Sequence, residues 1–349
     1  MAQAAHPIVR NLTRLLLVPA LLSCSLVTSS CSLSGDTPTL VTSEPREREV
    51  SREDVERWIA ELSNWGRWGT DDRIGALNLI DADVRRRAVA LVRAGVSVSM
   101  ARNVETEPAV DNGSPFRHTM KSTGEGEGSW CTDEYSVNYH GYAHTHMDAL
   151  CHIFHDGKTY NGFSRHEVSE SGAKKLGIEH VKDGIFARAI LMDIPRLKGV
   201  EYLEPRQAIY TEDLEAWEEH AGVRVSPGDI LLIRTGRWAR RDEKGPWNVS
   251  AEGAAGVHVS CVPWFRSRDI AVLGSDAASD VLPSGVEGYS HPVHLLVLYS
   301  LGVHIFDNFD LERVAAECAK RGRWEFLLTT APLAVPGGTG SPLNPIATF

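Results

Sequence analysis

Two kinds of hydrophobic spacing alternate along the chain from residue 51 onward. Ser51 and Asp54 form a capping-box sequence and precede apolar residues three to four positions apart, which predicts an amphipathic helix. Residues 81–93 repeat this spacing and predict a second helix with Asp81 as its N-cap. Later helices are predicted to begin at Thr211, to span residues 293–301, and to run from Asp310 to Gly322.

Short runs rich in Val, Ile and Leu lie between these helices. Such uninterrupted runs are typical of strands that are buried on both faces. They occupy residues 187–193, 229–234, 270–274, 303–306 and 324–330. The alternation predicts an α/β domain with a mixed sheet and no internal boundary. Residues 103–130 are rich in Pro, Gly, Asp and Glu, and predict a long mobile loop or lid.

The N-terminal residues 1–31 have the composition of an export signal. Arg10 and Arg14 precede a short apolar run, and small residues follow it. That run is too short for a membrane span of about 20 residues. Leu21 to Cys24 resembles a bacterial lipoprotein cleavage site, and Cys31 is a second candidate. We therefore expect an exported protein, either periplasmic or anchored to the membrane by lipid, with residues 32–50 as a flexible linker to a domain over 51–349.

Composition excludes some partners and leaves one question open. The formal net charge is −10 and only 7% of residues are aromatic, so the basic, aromatic-rich surface of a nucleic-acid-binding protein is missing. The six cysteines contain no Cys-x-x-Cys pair, which argues against a zinc ribbon. Export would permit a disulfide, but the spacing does not decide whether one forms.

Five of the 14 histidines lie between residues 140 and 155. If a strand begins at residue 140, alternation places four chemically active side chains on one face: His140, His144, His146 and Asp148. Imidazoles with one carboxylate suit a divalent cation such as zinc or manganese. A helix after Asp148 would bring His152 near the cation, where it would accept a proton from water. Taken singly, each histidine is better explained as an ordinary hydrogen-bonded residue, but their clustering favours a metal site.

Residues 145–152 resemble the signature of the cyclase family of metal-dependent hydrolases, which includes bacterial kynurenine formamidase and isatin hydrolase. That signature reads approximately His-x-Gly-Thr-His-x-Asp-x-x-x-His. The resemblance implies a single swivelling β/β/α domain, a dimer or tetramer, His146 and Asp148 as metal ligands, and His152 as the acid/base. Four other segments are similar to longer members of the family: residues 65–80, 228–236, 274–280 and 336–347.

The chain departs from the signature at its first histidine, where Tyr142 stands. His140 and His144 each lie two positions away, and a local bulge would let either one replace it. We favour His140, because Gly141 after it suits a kink close to a metal.

A second region of the sequence is expected near the same site. In the family, a histidine and an acidic residue from the equivalent region approach the metal or a second metal, and His294 and Asp307 fit best here. Because Asp is shorter than Glu, we expect Asp307 to support the site rather than bind the metal directly. The alternative is a histidine at a helix start and an aspartate in a turn.

Trp65 and Trp68 are candidates for the wall of a pocket for a flat substrate, although aromatic residues are more often plain packing residues. Arg234 is a candidate for binding a substrate carboxylate. A buried ion pair is the favoured explanation of Arg234.

These observations predict an amidohydrolase-type enzyme that cleaves a non-peptide carbon–nitrogen bond in a small molecule, such as a formamide, a cyclic amide or a lactam. One alternative keeps the metal but hydrolyses a lactone or ester, or closes a ring. An alternative of another class is an exported protein that binds a metal or a small ligand without turnover.

Overall fold

The computed structural model describes residues 49–349. The predicted export signal and residues 32–48 of the predicted linker lie outside the described residues. The α-helices are α1 (Arg52–Glu61), α2 (Ala82–Val89), α3 (Ile194–Lys198), α4 (Thr211–Ala221), α5 (Arg237–Lys244), α6 (Val249–Glu252), α7 (Val262–Arg268), α8 (Pro292–His294) and α9 (Glu312–Arg321). Short 3-10 helices span Gly75–Leu79, Tyr160–Gly162, Arg165–Glu167, Ile178–Val181 and Val259–Cys261, and a π-helix spans Leu295–Ser300.

The helix caps follow the sequence. The Ser51 hydroxyl accepts a hydrogen bond from the Asp54 amide, and the Asp54 carboxylate accepts one from the Ser51 amide, as the predicted capping box requires. Asp81 caps α2 through the amide of Val84. Helix α9 ends at Gly322, which adopts the left-handed conformation. The helix predicted over residues 293–301 is a single turn of α-helix followed by the π-helix.

Nine strands of the described residues form one mixed sheet. They are β1 (Ser97–Ser99), β4 (His146–Asp148), β7 (Ile185–Asp193), β9 (Ile230–Arg234), β11 (Val272–Ser275), β12 (His304–Asp307), β13 (Glu325–Thr330), β14 (Gly340–Pro342) and β15 (Ile346–Thr348). Their order in the sheet is β1-β15-β13-β7-β9-β11-β12-β4-β14. Strands β7, β9, β11 and β12 are parallel neighbours, and antiparallel strands flank them on both sides. All five predicted strands are therefore confirmed, as is the α/β class with a mixed sheet.

Three smaller two-stranded ribbons lie outside this sheet in the described chain. They pair β2 (Arg117–Ser122) with β3 (Thr132–Ser136), β5 (Val168–Ser169) with β6 (Gly172–Ala173), and β8 (Ala208–Ile209) with β10 (Gly256–Val257). The first ribbon corrects the sequence analysis, since residues 103–130 were expected to be a loop. Its side chains are mostly exposed and polar, so the hydrophobic alternation that marks a half-buried strand is missing.

The described residues fall within one compact unit, and the core lies on both faces of the nine-stranded sheet. Every residue of β9 is buried, which explains its uninterrupted apolar sequence. The four cysteines in this part of the chain, Cys131, Cys151, Cys261 and Cys318, are all free thiols. A search of residues 49–349 finds no helix with the length and hydrophobicity needed to cross a membrane.

Candidate metal site

Strand β4 places two of the predicted site residues on one face of the sheet. His146 and Asp148 are separated by Met147, whose fully buried side chain points into the core on the other face. In the neighbouring strand β12, Asp307 lies directly opposite His146. Directly opposed residues of paired strands share a face, so the sheet register brings Asp307 to the same site. All three polar side chains are buried.

The carboxylate of Asp148 lies at the centre of four imidazoles. Its Oδ1 atom is 3.0 Å from Nδ1 of His140 and 3.5 Å from Nε2 of His146. Its Oδ2 atom is 3.8 Å from Nε2 of His294 and 3.9 Å from Nε2 of His152. Residues from two separate stretches of the chain, 140–152 and the segment that contains His294, therefore meet around one buried acid.

His140 reaches this acid from a bend, not from a strand. The expected strand from residue 140 is wrong, because residues 140–144 form bends and β4 begins only at His146. Gly141 has φ +134°, a conformation that favours glycine, and allows the chain to turn back. Nε2 of His140 is 3.1 Å from the Thr339 hydroxyl oxygen. Gly340 leaves the necessary space, since a Cβ atom there would lie 3.1 Å from Cε1 of His140.

His144 lies away from this cluster. Because the strand does not extend to residue 144, the predicted common face with His146 is not formed. Its ring packs edge-on against Phe116, with 6.4 Å between the ring centroids. Burial lowers the pKa of His144. Of the two alternatives for the first ligand, the structure brings His140 to Asp148 and leaves His144 outside; the role of His140 as a ligand stays a prediction.

His152 follows β4 through a turn, in which its amide donates to the Ala149 carbonyl over 2.9 Å. The expected helix at this point is wrong, but the turn still brings the imidazole to Asp148. The ring of His152 stacks on that of His140, with centroids 4.1 Å apart. Burial lowers the pKa of His152 to about 4. The imidazole is therefore neutral at neutral pH and able to accept a proton.

The hydrogen bonds of His146 fix which of its nitrogens faces the acid. Its Nδ1 donates to the His144 carbonyl over 2.8 Å, so in the neutral ring Nε2 carries a lone pair. This lone pair faces Oδ1 of Asp148, which is also an acceptor. Burial would lower the pKa of His146, but Asp148 raises it above its ordinary value. A proton or a cation between the two acceptors relieves their repulsion.

Burial by itself would raise the pKa of Asp148, but the neighbouring imidazoles of His140 and His146 hold it well below its ordinary value. The acid is thus a carboxylate. Its Oδ1 atom and Nδ1 of His140 are enclosed, yet neither forms a hydrogen bond with any described residue. Enclosed polar atoms without partners point to a group that completes them.

His294 stands between two further acids. Its Nδ1 is 2.6 Å from Oδ2 of Asp280, which also accepts from the His294 amide, and its Nε2 is 3.1 Å from Oδ2 of Asp307. Burial would lower the pKa of His294, but the two carboxylates raise it well above its ordinary value. Ser279 in turn donates to Asp307 over 3.2 Å. The structure thus brings His294 to within 3.8 Å of the Asp148 carboxylate, and its role at the site stays a prediction.

The described residues contain two groups of potential ligand atoms. Within each group, all the atoms lie within 4.8 Å of one another. One contains His140, Asp148 and His152; the other contains His146, Asp148 and Asp307. Imidazole nitrogens with carboxylate oxygens are a donor set that suits zinc and manganese. The residues therefore fit a divalent cation, with Asp148 common to both groups.

A cleft of about 430 Å³ opens beside these groups. His146, Asp148, His152 and His294 contribute to its floor, and Phe154 and Tyr289 to its apolar walls. This is a typical volume for a small-molecule site.

Three residues predicted for a substrate pocket do not line this cleft. Arg234 donates to Asp193 over 2.7 Å and to Glu312 over 2.6 Å, which is the buried ion pair that the sequence favoured. Trp65 donates to the Tyr299 carbonyl, and Trp68 lies beneath the guanidinium of Arg67. All three serve packing and ion pairing.

Sequence reasoning did not assign Asp280 or His304 to the site. Asp280 follows the end of β11 and positions His294. His304, on β12, donates from Nδ1 to the Asp148 carbonyl over 2.9 Å, and burial lowers its pKa to about 4. The signal for Asp280 was present, because polar residues after a buried strand mark the edge where sites form. His304 gave no such signal, since it lies inside an apolar strand.

The fold and these residues define an α/β protein with a buried histidine–carboxylate site that can hold a metal ion. The sequence profile of the putative cyclase family matches residues 96–280. A crystal structure described as a novel cyclase is 33% identical, with a TM-score of 0.76, over 83% of this chain and 100% of that chain. The chain belongs to the putative cyclase family.

Two isatin hydrolases share the fold at lower identity. Isatin hydrolase A from Labrenzia aggregata, bound to benzyl benzoate, is 20% identical with a TM-score of 0.54, over 74% of this chain and 94% of that chain. Isatin hydrolase A from Ralstonia solanacearum is 19% identical with a TM-score of 0.53, over 75% of this chain and 93% of that chain. No match was found among curated proteins.

Proposed function

We propose that this protein is a metal-dependent hydrolase of a non-peptide carbon–nitrogen bond in a formamide, a cyclic amide or a lactam. The observation that carries the proposal is the enclosed Oδ1 atom of Asp148, which faces the imidazole nitrogens of His140 and His146 without a hydrogen bond. Two bases and a carboxylate that converge in this way are arranged for a cation.

His140, His146 and Asp148 would hold the metal, and Asp307 and His294 would stand beside it. A divalent cation supplies Lewis acidity, which polarises a carbonyl group and lowers the pKa of water. Asp280 holds His294 in place through three hydrogen bonds, from the Val293 and His294 amides and from the imidazole. Such support of a site residue is commonly needed for full affinity and activity.

His152 is the proton carrier in this proposal. It lines the cleft, its Nε2 faces the Asp148 carboxylate, and its low pKa keeps it neutral at neutral pH. A neutral imidazole accepts the proton of an attacking water and delivers it to the leaving nitrogen. The transfer balances the reaction, because water adds to the carbonyl carbon as the carbon–nitrogen bond breaks.

The isatin hydrolases support the choice of bond. They share the fold, and isatin contains a cyclic amide. Because a fold hosts many activities, this support concerns the class of bond only.

The test combines metal analysis with a substrate panel. The purified full chain is loaded with zinc or manganese and assayed on N-formyl aromatic amines, isatin-like lactams and simple lactones. His146→Ala should lose bound metal and turnover together. His118→Ala is the matched control, since His118 is an exposed imidazole on the β2–β3 ribbon, and it should keep both.

Full turnover in metal-free buffer would refute the proposal. Turnover of lactones without amides would move the assignment to ester chemistry, and tight ligand binding without product would favour a binding protein.

A further inference from the structure

A second, larger cavity adjoins the cleft beside the metal site. Its volume is about 900 Å³, roughly twice that of the cleft. The two spaces share the wall residues Tyr142, Gly288, Tyr289, Ser290 and His291. We call the larger space the distal chamber. The cleft and the chamber therefore border each other along these five residues.

The chamber has ordered walls. One wall is α6 with the residues that follow it, and the other is the segment 282–291. Ala254 and Leu282 exchange both backbone hydrogen bonds, at 3.1 and 3.0 Å, and so join the two walls. Arg206 donates to the carbonyls of Glu252 and Ala251 and fixes the outer end.

A separate apolar cluster lies behind the chamber. Trp247, Val249, Ala254 and Leu282 pack together outside the main core, and the half-buried Tyr142 packs against them. Position 142 is where the signature of the family has its first histidine. In this chain the tyrosine ring extends the apolar cluster to the boundary between cleft and chamber.

The charges of the chamber balance. Arg206 and Glu287 line it, one of each sign, and its remaining lining is apolar or uncharged apart from His291, at the boundary with the cleft. Burial lowers the pKa of His291, which disfavours its charged form. A space whose charges balance and whose wall includes the apolar side chains of Val249, Leu282 and Val286 favours an uncharged apolar group over an ion.

We propose that the distal chamber binds the remote part of the substrate, and that this part is a second apolar ring or a chain of comparable size. The substrate class is then an amide or lactam whose reacting group is joined to such an extension. This inference rests on the proposed function for the identity of the reacting group, but not for the binding of the extension.

Binding of two product-like acids tests the chamber without turnover. Benzoate fills one ring, and biphenyl-4-carboxylate adds a second ring of the proposed kind. Calorimetry on the metal-loaded full chain should show at least about tenfold tighter binding of the two-ring acid, because an added buried ring contributes hydrophobic free energy. Equal affinities would overturn the proposal.

Three variants test whether the chamber causes the preference for the two-ring acid. Ala251→Trp places a large side chain at an exposed position of the chamber wall and should abolish the preference, whereas Ala251→Ser should keep it. Ala90→Trp is the matched control, at an exposed helix end outside the chamber lining, and should also keep it. A preference that survives in Ala251→Trp would overturn the proposal. Thermal melting checks that each variant is folded.

Measurements of turnover distinguish the proposed hydrolase function from the proposed role of the distal chamber. N-formylaniline and N-formyl-4-aminobiphenyl are compared by kcat/KM, and the ratio in favour of the two-ring amide should fall at least about tenfold in Ala251→Trp. Binding preference without turnover of either amide, or of any amide or lactam in the substrate panel, would refute the proposed function and support the chamber. Turnover with no preference in either assay would refute the chamber and support the function.

Discussion

The site is built from two unlike halves. The strand half consists of His146, Asp148 and Asp307, which lie on β4 and β12 and are at most 3% exposed. The turn half consists of His140 and His152, whose side chains are 27% and 29% exposed. The strand half is held by sheet register, and the turn half by bends around Gly141 and Ala149.

Because of this difference, the two halves of the site suit different tasks. Buried groups on paired strands cannot move without breaking the sheet, so they suit the fixed anchoring of an ion. Partly exposed groups on turns meet the cleft, where substrate enters and protons leave. The comparison predicts that loss of His146 or Asp148 from the strand half removes the metal. In the turn half, loss of His140 weakens metal binding and loss of His152 removes only chemistry.

The largest effect is expected for Asp148→Asn. The amide has the shape of the carboxylate but lacks its charge, and its NH2 group would face an imidazole. Metal content should fall to background, and kcat/KM should fall by more than the roughly 10- to 100-fold typical of residues that only support a ligand. Mass spectrometry of bound metal and steady-state kinetics measure the two losses. Asp133→Asn, on the exposed ribbon, is the control.

His152→Ala should lower kcat by about 10²- to 10⁴-fold, the usual contribution of a general acid or base. Bound metal should remain near the wild-type amount, because Asp148 and His146 are intact. A variant that loses metal in proportion to activity would show that His152 is a ligand and would remove the distinction between the two halves.

Two variants, His140→Ala and His144→Ala, test which of these histidines contributes to metal binding. His140 faces Asp148, so its loss should weaken metal binding by at least about tenfold. His144 packs against Phe116 away from the acid, so its variant should keep the metal affinity of the wild type. Competition with a fluorescent chelator measures both, and the opposite ranking would restore His144 as the first ligand.

The smallest effect on activity is expected for Met147→Ala, which alters the opposite face of β4. All polar site groups remain, but a fully buried side chain is lost, and unfolding free energy should drop by about 2–5 kcal/mol. Met120→Ala, at a 47% exposed position, should change it by less than about 0.5 kcal/mol. Urea titrations measure both. Equal losses in the two variants would mean that β4 does not depend on its core face.

Much of the architecture follows from local sequence. Continuous apolar runs predicted the five principal strands because strands buried on both faces require them. The exposed ribbon was missed for the same reason, since it buries no face. The spacing of His146 and Asp148 was also enough to predict that their side chains share a face, because side chains alternate between the two faces even along a three-residue strand.

The rest of the site depended on long-range packing. The choice between His140 and His144 turned on where β4 begins, which pairing with β12 and β14 decides. His294 was expected near the site only by resemblance, and Asp280, which holds it, was not expected there. His294, together with Asp280, comes close to Asp148 only because strand β12 pairs with β4 in the sheet.

The sequence by itself determined which chemical groups are available and the periodicity that buries them, since both are local properties of neighbouring residues. Only the tertiary structure decided which imidazoles share a carboxylate and that Tyr142 forms the wall of a chamber. Those outcomes depend on contacts between segments far apart in the chain, and no local pattern encodes their distances.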